Sequence, residues 1–304
     1  MDNQAFGFQA ENVGFPVGKH GETYHVGALK NTLPQRWLLP GSYDRADSVK
    51  VIAKFMNAAK EVWSDVSEEL FTLGTRPHQY HALVGMYKGT EMGICATGIG
   101  APAAEIAVVE LTYGGARNFI RVGTSGCIDE QIKSGDLVVI NESRGNVGTV
   151  MEYLGRDRMF DYIPCNAEVV SALEKACLSQ GLSRITGEHE RGTGFKTGRG
   201  YCADSFYHGQ GRAVHCPLTL EMENLIPQLL QERVLTIEME TPGIAAVVTA
   251  YRERGEKPVS EVKVGSLVTP VANRITNDWT EDQRFQMQAV LVASEALHQL
   301  EKSP

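Results

Sequence analysis

Short apolar runs alternate along this chain with segments in which apolar residues recur every three or four positions. Such runs are typical of buried strands, and the spaced pattern is typical of amphipathic helices. The pattern predicts strands over residues 36–40, 80–88, 91–97, 118–122, 136–140, 235–238 and 262–268. It predicts helices over residues 104–111, 167–180, 243–254 and 285–300, and a further helix from about Val49 to Ala59.

No Pro- or Ser-rich linker, low-complexity segment or internal repeat interrupts these elements. We therefore predict one domain that spans residues 1–304. Residues 1–22 are expected to be an N-terminal extension that is poorly ordered or contacts a partner. Residues 187–200, which are rich in glycine and charge, are expected to form a mobile insertion.

Residues 118–126, NFIRVGTSG, place an arginine inside an apolar strand. Phe119 and Val122 suit a strand that is buried on both faces, so the guanidinium of Arg121 needs a partner. Its fork of donors can bind a phosphate, and a turn over residues 123–126 would add backbone N–H groups and two hydroxyls. The segment predicts an anion site. The alternative is an arginine that caps the sheet against a carboxylate.

A second candidate anion site follows the predicted strand at 36–40. Gly41 allows a ligand to approach the backbone closely, and Arg45 lies in the first turn of the next helix. The alternative is an ordinary turn with an exposed arginine.

Residues 97–103, TGIGAPA, match the dinucleotide-binding pattern of strand, glycine turn and helix. A dinucleotide-binding unit needs an acidic residue near the end of the next strand, whereas that strand ends in Arg121-Val122-Gly123. Because an arginine can bind a 2′-phosphate, an NADP-dependent oxidoreductase remains an alternative.

Residues 206–212, FYHGQGR, place an aromatic pair just before an amide and a guanidinium. Phe206 could stack on a flat base while Gln210 and Arg212 hydrogen-bond its edge.

Composition excludes several classes of function. The net charge is −8 and there is no long basic run, which argues against a nucleic-acid partner. The six cysteines form no CxxC pair and have no histidine at a zinc spacing, so we expect reduced thiols and no metal site. Because we find no signal-peptide pattern and no apolar run of membrane-spanning length, we expect a cytoplasmic protein without a membrane partner.

Five segments resemble, in order and spacing, the motifs of the nucleoside phosphorylase-I family. These segments are residues 41–45, 97–102, 121–126, 206–212 and 238–241, and the resemblance extends from about His25 to the C-terminal helix. In that family the pattern FYxGQxR marks pyrimidine recognition, above all in the members that cleave uridine. Purine-specific members carry an acid on a late strand, where this chain has Asn273-Arg274.

The resemblance implies a single-domain α/β fold, in which helices flank a mixed, twisted β-sheet. It also implies an active site at the carboxyl ends of strands and a homodimer with shared active sites. The implied phosphate ligands are Gly41, Arg45, Arg76, Arg121 and Thr124; the ribose ligands are His25, Thr124, Met239 and Glu240; and the base ligands are Phe206, Gln210 and Arg212. His25 and either Arg76 or His78 would cross from the partner.

The implied reaction is phosphorolysis of uridine to uracil and ribose 1-phosphate, a step of pyrimidine salvage. It uses inorganic phosphate as co-substrate and no cofactor. The implied catalytic residues are Arg121, Glu240, Gln210 and Arg212. They would orient the nucleophile, bind the sugar and stabilise the departing base. The alternatives within the family are a purine nucleoside phosphorylase, a methylthioadenosine-type nucleosidase and a non-catalytic nucleoside-binding relative.

Overall fold

The computed structural model describes residues 15–55, 63–68 and 80–301 of the chain. Its strands are β1 (Arg36–Pro40), β2 (Ser64–Ser67), β3 (His81–Tyr87), β4 (Thr90–Ala96), β5 (Asn118–Cys127), β6 (Leu137–Asn146), β7 (Ile163–Pro164), β8 (Ser183–Arg184), β9 (Gly194–Ala203), β10 (Val234–Glu238) and β11 (Lys263–Asn273). Its helices are α1 (Tyr43–Phe55), α2 (Ala101–Gly114), α3 (Gly148–Leu154), α4 (Ala167–Ser179), α5 (Leu220–Glu223), α6 (Leu225–Gln231), α7 (Thr241–Arg254) and α8 (Gln283–Glu301). Each predicted strand or helix overlaps one of these elements.

The strands form a mixed sheet in the order β10-β9-β6-β11-β5-β1-β4-β3-β2, with β7 and β8 attached to β6 and β9. The central strand β5 runs parallel to β1 on one side and to β11 on the other. Strand β10 pairs with β9 and also, antiparallel, with the end of β5. Strands β5, β11, β6, β9 and β10 therefore close into a ring. The predicted fold class, a mixed sheet flanked by helices, is confirmed.

Successive residues of the central strands face opposite sides of the sheet. Trp37 and Phe119 pack in a buried cluster with residues of α2 and α7, whereas Leu38 and Ile120 pack with residues of α4 and α8. Side chains of a strand alternate between faces, so a sheet covered on both sides requires the nearly continuous apolar runs seen in the sequence. Arg121 shares a face with Phe119 and therefore points toward the start of α7.

The predicted turn at residues 123–126 is wrong, because β5 continues through these residues to Cys127. Strand β11 runs beside it as far as Asn273, and β10 pairs with its last residues. Neighbours on both sides keep the segment extended despite its two glycines.

The predicted insertion at residues 187–200 is also wrong in part, because residues 194–200 belong to β9. The preceding residues are attached to the domain by the buried carboxylate of Asp136. That carboxylate accepts a hydrogen bond from the Gly192 N–H at 2.9 Å and lies 2.7 Å from Nε2 of His189.

Within the described ranges, no helix has the length and apolar character needed to cross a membrane. In the same part of the chain, no three His, Cys, Asp or Glu side chains are grouped so that they could hold a metal ion. The single domain over residues 1–304 stays a prediction. So does the N-terminal extension at residues 1–22, of which residues 1–14 lie outside the described ranges.

Candidate active site

The carboxyl ends of β1, β4, β5 and β10 open into one cavity of about 450 Å³. Ligands of α/β proteins commonly bind at this edge of the sheet. The predicted site residues that line the cavity are Gly41, Arg45, Arg121, Thr124, Phe206, Gln210, Arg212, Met239 and Glu240. The fold thus brings these residues together from four separate parts of the sequence, while their roles stay predictions.

Arg121 binds two carboxylates in this cavity. Its Nε donates to Oε2 of Glu240 at 3.1 Å, and its Nη2 donates to the same oxygen. Nη2 also lies 3.2 Å from Oε2 of Glu238. Burial lowers the pKa of Arg121, but the two carboxylates outweigh burial and raise the pKa above its usual value. The carboxylate partner considered from the sequence is therefore present.

Arg121 also presents a donor that none of the described carboxylates accepts. Among the described residues, its buried Nη1 has no hydrogen-bond partner, and neither has the buried hydroxyl of Ser125. A Cβ at Gly123 would lie 1.9 Å from Nη1, so the guanidinium fits only because residue 123 lacks a side chain. Buried donors without partners are costly unless a ligand satisfies them. Arg121 can therefore pair with carboxylates and still offer a donor to an anion, so the two interpretations of this residue are compatible.

Arg45 forms the second cationic group of the cavity. Its Nη1 donates to the Val122 carbonyl at 2.8 Å, and its Nε donates to Oε1 of Gln286 at 3.2 Å. Burial, followed by the positive charge of Arg121, lowers the pKa of Arg45 to about 10, which leaves it protonated at neutral pH. The alternative of an exposed arginine is wrong, because Arg45 is buried. Two adjacent buried cations favour an anionic ligand.

Glu240 lies between the cationic end and the glycine turn at residues 97–103. The Gly100 N–H donates to Oε1 of Glu240 at 2.7 Å. Gly100 has a φ of 98°, which glycine adopts without strain. The turn therefore fixes a carboxylate, whose charge would repel the pyrophosphate of a dinucleotide. This contact disfavours the NADP-dependent alternative.

Phe206, Gln210 and Arg212 form another end of the cavity. The guanidinium of Arg212 lies 4.5 Å from the centre of the Phe206 ring, and its Nη1 donates to Oε1 of Gln210. Arg274 supports this group, since its Nη1 donates to the Gln210 backbone carbonyl at 2.6 Å. Burial lowers the pKa of both arginines. A half-exposed ring, an amide and a guanidinium together suit a flat, polar ligand.

A family model described as the phosphorylase superfamily matches residues 55–298 of the chain. The chain belongs to the phosphorylase superfamily. A uridine phosphorylase from Thermococcus kodakarensis is 29% identical over 283 residues, which cover 93% of this chain and 88% of that protein. A DeoD-type purine nucleoside phosphorylase from Brevibacillus brevis is 28% identical, with coverage of 75% and 81%. A uridine phosphorylase from Haemophilus influenzae is 25% identical, with coverage of 73% and 82%.

These matches confirm the resemblance to the nucleoside phosphorylase family and the predicted enzyme class. In this phosphorylase the residue compared with the acid of purine-specific members has a structural role. The amide nitrogen of Asn273 donates to the carbonyls of Asp129 and Ile132, both at 2.8 Å. Its oxygen accepts the N–H groups of Ile275 and Thr276. Asn273 therefore anchors the end of β11 and does not line the cavity.

Among the described residues, one predicted site residue of this phosphorylase, His25, does not line its cavity. His25 lies before β1, where its Nδ1 is 2.8 Å from Oε1 of Glu110, a residue of α2. The His25 backbone N–H also donates to Glu110, at 3.1 Å. His25 is thus held away from the cavity of its own protomer. Arg76 and its alternative, His78, lie outside the described residues.

Our sequence reasoning counted the hydroxyl of Ser125 only as part of the predicted turn, and it did not assign Glu238 or Arg274 to the site. Ser125 and Glu238 line the cavity, and Arg274 supports Gln210 from behind. A signal existed for Glu238, since a carboxylate at the end of an apolar strand needs a partner as much as Arg121 does.

Proposed function

We propose that this phosphorylase acts on uridine and phosphate and forms uracil and ribose 1-phosphate. The observation that carries the proposal is the set of groups that line one cavity: two guanidinium groups that bind or adjoin a carboxylate, and an amide and guanidinium beside a phenyl ring. A phosphate, a ribose and a base present groups complementary to these. The relative from Thermococcus kodakarensis, which carries the name uridine phosphorylase, supports the choice of base.

Phosphate would bind at the cationic end. Arg45 and the free Nη1 of Arg121 supply positive charge, and Gly41 and Thr124 line the same region. Two converging guanidinium groups fix a phosphate in orientation as well as position. A phosphate oxygen held in this way forms the new bond to C1′ of the ribose, and such orientation can supply several kcal/mol of the barrier, on the order of 7–11 at best.

The ribose would lie against Glu240 and Met239. Glu240 is negative and directly bound to Arg121, so it accepts hydrogen bonds from the ribose hydroxyls next to the bound nucleophile. Positive charge develops on the sugar as the C1′–N1 bond breaks. Hydrogen bonds from sugar hydroxyls to such a carboxylate strengthen as the ring flattens.

The base would stack on Phe206 and meet Gln210 and Arg212. When the C1′–N1 bond breaks, its electron pair stays with uracil, whose carbonyl oxygens become more negative. The amide and guanidinium donate to these oxygens, and loss of one such donor typically costs about 10²- to 10³-fold in rate. Uracil then takes a proton from solvent, so no dedicated acid is needed.

A purine nucleoside phosphorylase is the second candidate, because the Brevibacillus brevis relative carries that name. The polar edge of Gln210 and Arg212 favours uracil over a purine. Asn273, bound to four backbone groups, cannot protonate a purine leaving group.

We also propose that the protein is a cytoplasmic homodimer of pyrimidine salvage. His25 would then contact the ribose in the partner's cavity, and Arg76 or His78 would contact the phosphate there. No metal or organic cofactor enters this scheme.

The deciding experiment measures release of uracil from uridine with and without phosphate, beside inosine and cytidine. We expect release only with phosphate, together with formation of ribose 1-phosphate. Release without phosphate would identify a hydrolase, and faster cleavage of inosine would identify the purine alternative.

A further inference from the structure

Glu238 has a buried carboxyl group in the cavity, and within the described part of the chain only one of its two oxygens has hydrogen-bond partners. Its Oε2 accepts the backbone N–H groups of Glu240 at 2.8 Å and of Thr241 at 2.9 Å, and lies 3.2 Å from Nη2 of Arg121. Its Oε1 is buried and has no partner among the described residues. The side chain is fully buried, yet Glu238 lines the cavity.

The groups around Glu238 make its ionisation costly, because the carboxylate of Glu240 is already a negative charge beside it. Arg121 and Glu240 face it from β5 and from the start of α7, and the thiols of Cys202 and Cys165 face it from β9 and from the segment after β7. Burial raises the pKa of both thiols, so they carry no charge. With both carboxylates ionised, they cancel the charges of Arg121 and Arg45 at the cationic end, and Arg212 alone leaves the cavity with a single positive charge to attract a phosphate dianion.

Burial, and then the negative charge of Glu240, raises the pKa of Glu238 against the opposing effect of Arg121. A bound dianion acts in the same direction as Glu240, because it is a further negative charge in the cavity. A proton on Glu238 would lie on Oε1, since Oε2 already accepts two N–H groups.

We propose that Glu238 is a neutral carboxylic acid when the anion is bound, and that its Oε1–H donates a hydrogen bond to a ligand oxygen. This inference rests on the proposed function of the same cavity. It assigns the two neighbouring acids opposite roles: Glu240 accepts hydrogen bonds as an anion, and Glu238 donates one as a neutral group. A neutral Glu238 also leaves the cationic end, formed by Arg45 and Arg121 with Glu240, with a net positive charge that attracts phosphate.

The test compares Glu238→Gln with Glu238→Leu and with the matched variant Glu240→Gln. In Glu238→Gln the amide oxygen can accept the two backbone N–H groups while the NH₂ group takes the place of Oε1–H. We expect kcat/KM for uridine to fall less than about 10-fold in Glu238→Gln, but more than about 10²-fold in Glu238→Leu and in Glu240→Gln. Equal losses in Glu238→Gln and Glu238→Leu would overturn the proposal.

A direct measurement covers the case in which Glu238→Leu does not fold. Infrared difference spectra of the wild type against Glu238→Gln, both saturated with sulfate, show whether the wild type has the carbonyl stretch of a neutral carboxyl group. Sulfate is a dianion that resembles phosphate but does not change its charge at neutral pH. The absence of this band would disprove the neutral state of Glu238. Phosphate-dependent uracil release by the wild type, measured separately, decides the proposed function, so either idea can fail alone.

Discussion

Nε of Arg121 lies 3.1 Å from Oε2 of Glu240, so the residue proposed to hold phosphate and the residue proposed to hold ribose bind each other directly. One guanidinium therefore orients a carboxylate with one side and offers Nη1 to an anion with the other. Neither residue can be changed without an effect on the other.

Arg121→Met should abolish phosphorolysis and also destabilise the fold. The variant leaves two carboxylates buried without their cation, which typically costs about 3–5 kcal/mol. Urea denaturation at neutral pH should show this decrease in the free energy of unfolding. The decrease should be smaller at acidic pH, where the carboxylates take up protons. Arg117→Met is the matched control, since Arg117 directly precedes β5 and donates to backbone carbonyls of residues 112 and 116, away from the cavity. Near wild-type activity of Arg121→Met at saturating phosphate would refute the anion site.

Gly123→Ala should reduce kcat/KM by more than about 10²-fold, a loss comparable to that of one catalytic donor. The new methyl group would lie 1.9 Å from Nη1 of Arg121, and the guanidinium would have to leave its position. Gly187→Ala is the control, because a Cβ there meets nothing within 4 Å. Steady-state kinetics of both variants at several phosphate concentrations check this expectation. A Gly123→Ala enzyme with unchanged phosphate dependence would show that Arg121 does not contact phosphate.

Hydrophobic periodicity predicted the strands and helices well because each pattern is local. The ends of elements were less predictable when they depended on distant neighbours. Residues 123–126 read as a turn from their glycines, yet β10 and β11 hold them in a strand. In the same way, β6 and β10 hold the glycine-rich residues 194–200 in β9.

The site residues were predicted one motif at a time, and the contacts between motifs were not. The pairing of Arg121 with Glu240 joins residues 119 positions apart, and no spacing rule indicates it. The bond from Gly100 to Glu240 is another such case, since the glycine turn resembled a dinucleotide site until its carboxylate partner was known. The sequence placed Asn273 where purine-specific members carry an acid, which stays a prediction, and it gave no sign of the four hydrogen bonds to backbone groups that prevent Asn273 from serving the base.

His25→Ala and Glu240→Ala proteins should complement each other if His25 serves the partner's cavity. A heterodimer of the two variants has one site with both changes and one intact site. After random exchange of subunits, half of the dimers are heterodimers, and each heterodimer has one intact site of its two. About a quarter of wild-type activity should therefore return. Mass spectrometry must confirm exchange before the assay. No recovery in exchanged dimers would place His25 outside the partner's site.

Glu232→Gln should destabilise the protein at neutral pH and not at strongly acidic pH. The hydrogen bonds from Arg144 lower the pKa of Glu232 from 4.5 to about 2. A lowered pKa contributes stability that is fully present above the unfolded value of 4.5 and is lost as pH falls toward 2. The difference between wild type and variant in the free energy of unfolding should therefore shrink over this range. Glu261→Gln, at an exposed pair with Lys257, should show little difference at any pH.

Base specificity should depend on the edge formed by Gln210 and Arg212. Uracil offers carbonyl oxygens and the N3–H to these groups, whereas cytosine presents an amino donor and an acceptor at N3. Arg212 would then face a donor, and Gln210 would have to turn its amide away from Arg212. Discrimination through unpaired polar groups can reach about 10⁴-fold, so cytidine should be a very poor substrate. Phe206 stacks on any flat base and should contribute little to this choice.

Gln210→Ala should lower kcat/KM for uridine by about 10²- to 10³-fold and narrow the gap between uridine and cytidine. Gln180→Ala, at the end of α4, is the control and should leave both values unchanged. The measurement is kcat/KM for uridine, cytidine and inosine in phosphate buffer on the wild type and both variants. An unchanged uridine value in Gln210→Ala would contradict the pyrimidine assignment. A pocket that matches the edge of uracil leaves polar groups unpaired around a purine, so inosine should be a poor substrate. If the wild type had the same kcat/KM for inosine as for uridine, a purine phosphorylase would be favoured.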